Sequence, residues 1–263
     1  MKNAAELKQN SESTCKLCGG TKWILLTVMT EEDLHYTFSG HRINKGAEYA
    51  YPCPNCGQEV RLGGTGIPNK YYNQGYESDK FWKVYRDDCL QTKRIIENFI
   101  DKTDSWNYGL YLWSNQRGTG KTKLSCALLT SIRIKHDLSV RFVSVPEYLY
   151  KLRRSFGDKG GASGEITKDL IDCDLLCLDD LGAEKRSEWT DQEMFYLLDT
   201  RYTRGRKTII TSNFDLENLQ EDARLSDRIG EICIELHMPE QSIRTQEAYK
   251  KQSTFLSNIL KEG

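Results

Sequence analysis

A chain of 263 residues has room for one large domain, or for a medium domain joined to a small one. Charged residues make up 29% and apolar residues 38%, the balance of a globular protein with a solvated surface, and no run of about 18 apolar residues is present to span a membrane. The formal net charge of −1 excludes a polycation, so any contact with nucleic acid must come from a local basic patch.

Residues 1–14 are polar and lack the apolar core of a secretion signal, so the expected compartment is the cytoplasm. Nine cysteines in a reducing compartment read as thiols or metal ligands, not as a disulfide framework. Four of them form two knuckles, Cys15-Lys16-Leu17-Cys18-Gly19-Gly20 and Cys53-Pro54-Asn55-Cys56-Gly57-Gln58. Each tight turn offers two thiolates, and the trailing glycine frees the backbone that follows. Cys15, Cys18, Cys53 and Cys56 together predict a tetrahedral four-thiolate Zn²⁺ site, with ribbon strands drawn from 23–26 and 47–51. A redox dithiol or an iron–sulfur cluster is the alternative. Four thiolates close such a site, so His35 and His41 between the knuckles are expected on a surface or a strand. The other five cysteines read as small buried apolar residues.

Residues 61–80 are rich in Gly, Asn, Tyr and Lys and read as a linker or extended arm. Tyr71, Tyr72 and Tyr76 there are candidates to stack on bases or adenine, or to pack on the core. Residues 81–104 carry apolar positions at helical spacing. From 109 onward apolar runs alternate with helical patterns. Strands are expected at 109–113, 140–145, 174–180, 207–213 and 232–236, and helices at 121–136, 146–156 and 190–204. That alternation predicts a parallel sheet covered by helices.

The segment Ser114-Asn115-Gln116-Arg117-Gly118-Thr119-Gly120-Lys121-Thr122 follows a strand and opens a helix. It matches the phosphate-binding pattern G-x-x-x-x-G-K-[ST] except for Asn115 at the first glycine. Gly118 and Gly120 let backbone N–H groups turn inward, and the helix N-terminus adds its positive dipole end. Lys121 is expected on the β- and γ-phosphates and the Thr122 hydroxyl on Mg²⁺. Asn115 is tolerable there because Asn visits positive φ more readily than other side chains. Further on, Leu175-Leu176-Cys177-Leu178-Asp179-Asp180 is an apolar strand ending in acids. Asp179 is placed in the magnesium shell and Asp180 as the general base, with Glu184 a weaker candidate for that role. Asn213, at the end of TIITSN, is positioned to orient water beside the γ-phosphate. Arg224 and Arg228 share one helical face, and Arg228 is the candidate arginine finger offered to a neighbouring subunit. Arg244 is a candidate second γ-phosphate sensor. Lys151, Arg153 and Arg154 cluster at one helix end and are candidates to track a phosphate backbone.

Residues 109–122, the run DDLGAEKRSEW from Asp179 to Trp189, and KTIITSNFDL at 207–216 resemble the AAA+ ATPases of the bacterial helicase-loader family, DnaC and DnaI, whose core is shared by the transposition helper IstB. The resemblance covers roughly residues 68–250. It implies an α/β P-loop fold with a five-stranded parallel sheet, and maps Lys121 and Thr122 to Walker A, Asp179 and Asp180 to Walker B, Asn213 to sensor 1, Arg228 to the finger and Arg244 to a sensor-2-like arginine. It further implies a zinc-binding, helicase-contacting domain at 1–62, a linker and helix at 63–108, and the ATPase core at 109–263. The implied activity is ATP-dependent loading of the hexameric replicative DNA helicase onto single-stranded DNA by a self-associating ATPase. Two alternatives are a transposition helper acting on double-stranded DNA and a zinc-ribbon adaptor with a vestigial nucleotide site. Asp180 stands where AAA+ proteins commonly carry glutamate, which implies slow or partner-stimulated hydrolysis.

Overall fold

Two kinds of strand pairing occur, each in its own part of the chain. The structure, a computed structural model, describes residues 16, 21, 23–27, 48–53, 62–72, 90–136, 138–155, 162–219, 223–245, 249, 252–255 and 257. The chain divides into two units, Met1–Gly63 and Gly64–Gly263. In the first, β1 (Trp23–Thr27) pairs antiparallel with β2 (Glu48–Pro52), Trp23 opposite Pro52 and Thr27 opposite Glu48. Cys53 follows β2 directly and is buried. Cys15, Cys18, Cys56, His35 and His41 lie outside the described residues. Among the described residues no cluster of three or more His, Cys, Asp or Glu could hold a metal.

In the second unit the short apolar runs build one sheet. Its strands are β3 (Gly109–Trp113), β4 (Val140–Ser144), β5 (Leu175–Leu181), β6 (Lys207–Ser212) and β7 (Cys233–His237). Their order is β4-β5-β6-β3-β7, and every adjacent pair is parallel. Nearly unbroken burial along β3, β5 and β6 is what a sheet covered on both faces requires. Among the described residues six α-helices accompany it: α1 (Leu90–Asp101), α2 (Lys121–His136), α3 (Val145–Ser155), α4 (Ala162–Asp172), α5 (Glu188–Thr203) and α6 (Ala223–Ile232). The start of α5 is fixed by a capping box in which Ser187 Oγ accepts the Thr190 N–H and the Ser187 N–H is bound by Thr190 Oγ1. Among the described residues no helix is long and apolar enough to cross a membrane.

Four differences from the sequence reading have clear causes. Helix α4 begins at Ala162, where the sequence around Gly160, Gly161 and Gly164 reads as loop and predicts no helix. Of the expected helix at 81–104, Leu90–Asp101 is an α-helix and Thr103–Ser105 a separate 3-10 turn, while 81–89 lie outside the described residues. Ile232, expected to begin the last strand, instead closes α6. Part of the arm at 61–80 is attached to the sheet edge: the Phe142 N–H donates to Thr65 O at 2.7 Å, and a Cβ on Gly66 would lie 2.2 Å from Phe142 O. Only glycine permits that approach.

Arg201 is among the largest fully buried side chains of the described residues and ties helices to sheet. Its guanidinium donates to the carbonyls of Leu170, Ile171, Cys173 and Lys207 and to Thr208 Oγ1. It therefore satisfies two carbonyls in the last turn of α4, Leu170 and Ile171, which a helix end leaves without a partner within the helix.

Candidate nucleotide site

The loop 114–120 leaves the end of β3 between two neighbours, β6 and β7, and enters α2 at Lys121. Gly118 and Gly120 have φ of 81° and 97°, the left-handed region where a Cβ is strained. Asn115 is not among the residues with positive φ. Asn115 is therefore tolerated without the left-handed backbone that Asn can adopt, and this position does not call for glycine. The loop borders a cavity of about 730 Å³, also lined by Asp180, Asn213, Arg244 and, at its rim, Lys70 and Tyr71.

Lys121 is 5% exposed, and its Nζ donates to Ser114 O (3.2 Å), Gln116 O (3.2 Å) and Asn213 Oδ1 (3.0 Å). Burial lowers its pKa, against the pull of Asp180, Glu240 and Asp179. Facing it, Asp179 is 5% exposed and accepts hydroxyls from Thr122 (3.0 Å) and Thr211 (2.7 Å). Burial, aided by the charge of Asp180, pushes the Asp179 carboxyl up to about 6 in spite of those hydroxyls. The site thus carries a buried ammonium hydrogen-bonded to three neutral acceptors and a buried carboxyl hydrogen-bonded to two hydroxyls. That donor set fits a polyphosphate on the loop and a divalent cation beside Thr122 and Asp179.

Two consecutive side chains of a regular strand point to opposite faces. Asp179 and Asp180 escape this rule through an irregularity in β5. Leu178 pairs with Ile210, but the next pair is Leu181 with Ser212, so one extra residue is inserted. Asp180 takes φ 60°, the one non-glycine residue with positive φ among those described, and its N–H donates to Thr211 Oγ1 at 2.9 Å. Asp180 consequently lines the cavity, while Asp179 meets the cavity-lining Thr122 through its hydroxyl. A short polar side chain suits this backbone, which gives a physical reason for Asp where glutamate is common.

The remaining expected residues fall in different places. Asn213 joins Lys121 directly, and Arg117 and Arg244 line the cavity. Thr119 is buried, its hydroxyl shared with Ser114 Oγ. Glu184 binds the Gly182 N–H and is absent from the cavity lining. Arg228 lies on α6 away from this cavity, its Nη2 2.9 Å from Asp199 Oδ1, Nη1 on Glu231 and the guanidinium 4.6 Å from the Tyr202 ring centroid. The basic cluster on α3 also has partners within the chain: Lys151 pairs with Glu147, Arg153 stacks over Trp189 and Arg154 meets Tyr150. Tyr76 and Lys159 lie outside the described residues. Sequence reasoning missed Thr211, which bridges the two acids, and Glu240, which binds the loop from outside. Neither stands in a recognisable pattern; both are found only once the strand order is known.

A family model described as IstB-like ATP binding protein matches residues 110–252, more than half of the chain and all of this cavity apart from its rim at Lys70 and Tyr71. The chain belongs to the IstB-like ATP-binding family. Within the family's wider circle, this IstB-like chain is 22% identical over 170 residues to the replicative helicase loader DnaC of Escherichia coli (strain K12), covering 63% of this chain and 66% of that protein. The match therefore spans just under two thirds of that relative's length. It is 31% identical over 121 residues to the replicative helicase loader DnaI of Bacillus subtilis (strain 168), covering 46% of this chain and 38% of that one. Its fold is shared with a crystal structure of the DnaC helicase loader at a TM-score of 0.54, 23% identity, 65% of this chain and 100% of that one.

Proposed function

We propose that this IstB-like protein is an ATPase that loads the replicative DNA helicase onto single-stranded DNA. The observation that supports it most is the cavity itself. A glycine-turned loop, the Lys121 ammonium, the Thr122–Asp179 pair, Asn213 and Arg244 converge there, in a chain whose relatives include replicative helicase loaders. In this reading the N–H groups of 118–122 and Lys121 bind the triphosphate, and Thr122 and Asp179 hold Mg²⁺, which neutralises phosphate charge when bound. Tyr71 at the rim is available for the adenine face. Asp180 orients the attacking water with Asn213, and Arg244 senses the γ-phosphate. Arg228 acts on the site of a neighbouring copy, which requires a homo-oligomer and release from Asp199 and Glu231. Lys151, Arg153 and Arg154 contact the DNA backbone. The four knuckle cysteines bind Zn²⁺ in a helicase-contacting N-terminal domain, and the complex works in the cytoplasm.

The test is saturable binding of ATP by the full chain in millimolar magnesium, abolished by Lys121→Ala, followed by capture of the hexameric replicative helicase with and without ATP. Absence of saturable binding refutes the nucleotide reading, and absence of helicase capture refutes the loader reading. The family description equally fits a transposition helper, and a marked preference for double-stranded over single-stranded DNA would favour that role.

A further inference from the structure

The outer side of the phosphate loop is held by a carboxylate. Asn115 and Gln116 follow β3 with two successive backbone N–H groups that point away from the cavity. Glu240 Oε1 accepts the first at 2.8 Å and Oε2 the second at 2.8 Å. Glu240 also receives His237 Nε2 at 2.9 Å. Burial raises the Glu240 carboxyl, but His237 and the two N–H donors outweigh it and hold the group below the usual range. Three residues further on, the same segment attaches to the loop again: the N–H groups of Ile243 and Arg244 both donate to Gly118 O, at 2.9 and 3.2 Å. The Met238 N–H donates to Trp113 O at 2.7 Å, so the segment 238–244 runs as a strap from β7 across the back of the loop.

We propose that Glu240 is a positioning residue for the nucleotide, fixing the outer half of the loop and coupling it to the strap that carries Arg244. The inference rests on the reading of the cavity as an ATP site. The path is short. Glu240 holds the Gln116 N–H, and the carbonyl on the other side of the same Cα is one of three acceptors that aim Lys121 Nζ. The other end of the strap brings Arg244 to the cavity wall. A loop whose first position is Asn and not glycine is thereby ordered before ligand arrives, which reduces the entropy lost on binding. A second carboxylate near a triphosphate also repels it. The Glu240 side chain is 38% exposed, however, so water and salt screen that repulsion.

Trp113 supplies a local reporter. Its ring stacks on His237 at 4.2 Å, next to the strap. The experiment uses the full chain, Mg²⁺ and ATP, with binding followed by Trp113 fluorescence (Trp113→Phe giving the background) and independently by calorimetry. In wild type, ATP changes the Trp113 signal. Glu240→Ala should raise the Kd for ATP about tenfold and remove the Trp113 response, with its melting midpoint close to wild type. Glu240→Gln keeps one acceptor and the side-chain shape, and should raise Kd by a smaller factor; it decides the matter if the alanine variant does not fold. Glu240→Asp should recover part of the Trp113 response. Wild-type Kd in both Glu240→Ala and Glu240→Gln, or a lowered melting midpoint with unchanged Kd, overturns the inference. Failure of the wild type itself to bind ATP overturns instead the reading of the site.

Discussion

Asp179 should destabilise the nucleotide-free protein, and the sign of that effect can be tested. Its carboxyl titrates near 6 in the folded chain, above the 3.8 of an unperturbed group, because burial disfavours its charge. Between those values the folded state keeps a proton that the unfolded chain has released, so stability falls as pH rises from about 4 to about 6 and is level above. The gap corresponds to roughly 3 kcal/mol at neutral pH. Little of it is screened away, since the residue is 5% exposed. Asp179→Asn removes the charge but leaves one of the two hydroxyl donors, Thr122 or Thr211, to turn round. That reorientation costs about 1 kcal/mol, so the net gain expected at pH 7.5 is about 2 kcal/mol, or roughly 4–8 °C in melting midpoint. Melting curves of both proteins without nucleotide, at steps from pH 7.5 to 4.5, check it. The advantage of the variant should shrink through pH 6 and be small at pH 4.5. Adding Mg²⁺ and ATP should stabilise the wild type and not the variant, reversing their order. A variant less stable than wild type at pH 7.5, or a difference that ignores pH, refutes the reasoning.

Three other outcomes follow from the same geometry. Asp180→Asn keeps a residue that tolerates φ 60° and removes the charge beside Asp179, so ATP should still bind while turnover falls at least about a hundredfold; steady-state ATPase and binding assays separate the two. Gly118→Ala meets both a left-handed backbone and Ser242 Oγ 2.8 Å from the new Cβ, and should lose about 1–3 kcal/mol in urea unfolding together with ATP affinity. Arg201→Leu strands the carbonyls at the end of α4 and should cost roughly 3 kcal/mol or more, with expression and melting as the readouts.

What was legible in the sequence was legible for physical reasons. Gly109-Leu110-Tyr111-Leu112-Trp113 is apolar without alternation, which only a strand buried on both faces tolerates, and it is β3 to the residue. Lys121 and Thr122 were readable because a phosphate loop needs contiguous residues, so its chemistry is written in one segment. Asn213 could be placed because the end of β6 must lie beside the loop if β6 neighbours β3, as it does. Helix α4 was hidden by glycines near its start, whose low propensity is offset by burial of Leu170 and Ile171 and by the Arg201 cap. Glu240 was hidden because β7 is last in the chain but adjacent to β3 in space. No local pattern announces a partner 125 residues away.

The acid pair shows most sharply where sequence reading stops. Two adjacent aspartates at a strand end suggest two roles, but a regular strand would turn one of them away from the cavity. The inserted residue between Leu178 and Leu181 and the left-handed Asp180 resolve that conflict, with Thr211 supplying one hydroxyl to both neighbours: it donates to Asp179 and accepts from the Asp180 N–H. The same geometry accounts for the choice of side chain. A glutamate at φ 60° carries a longer chain on a backbone that already costs about 1 kcal/mol or more, whereas aspartate enters that region more readily and reaches the cavity from a bulged strand without extra length. The shorter acid therefore suits the way β5 is built at this point.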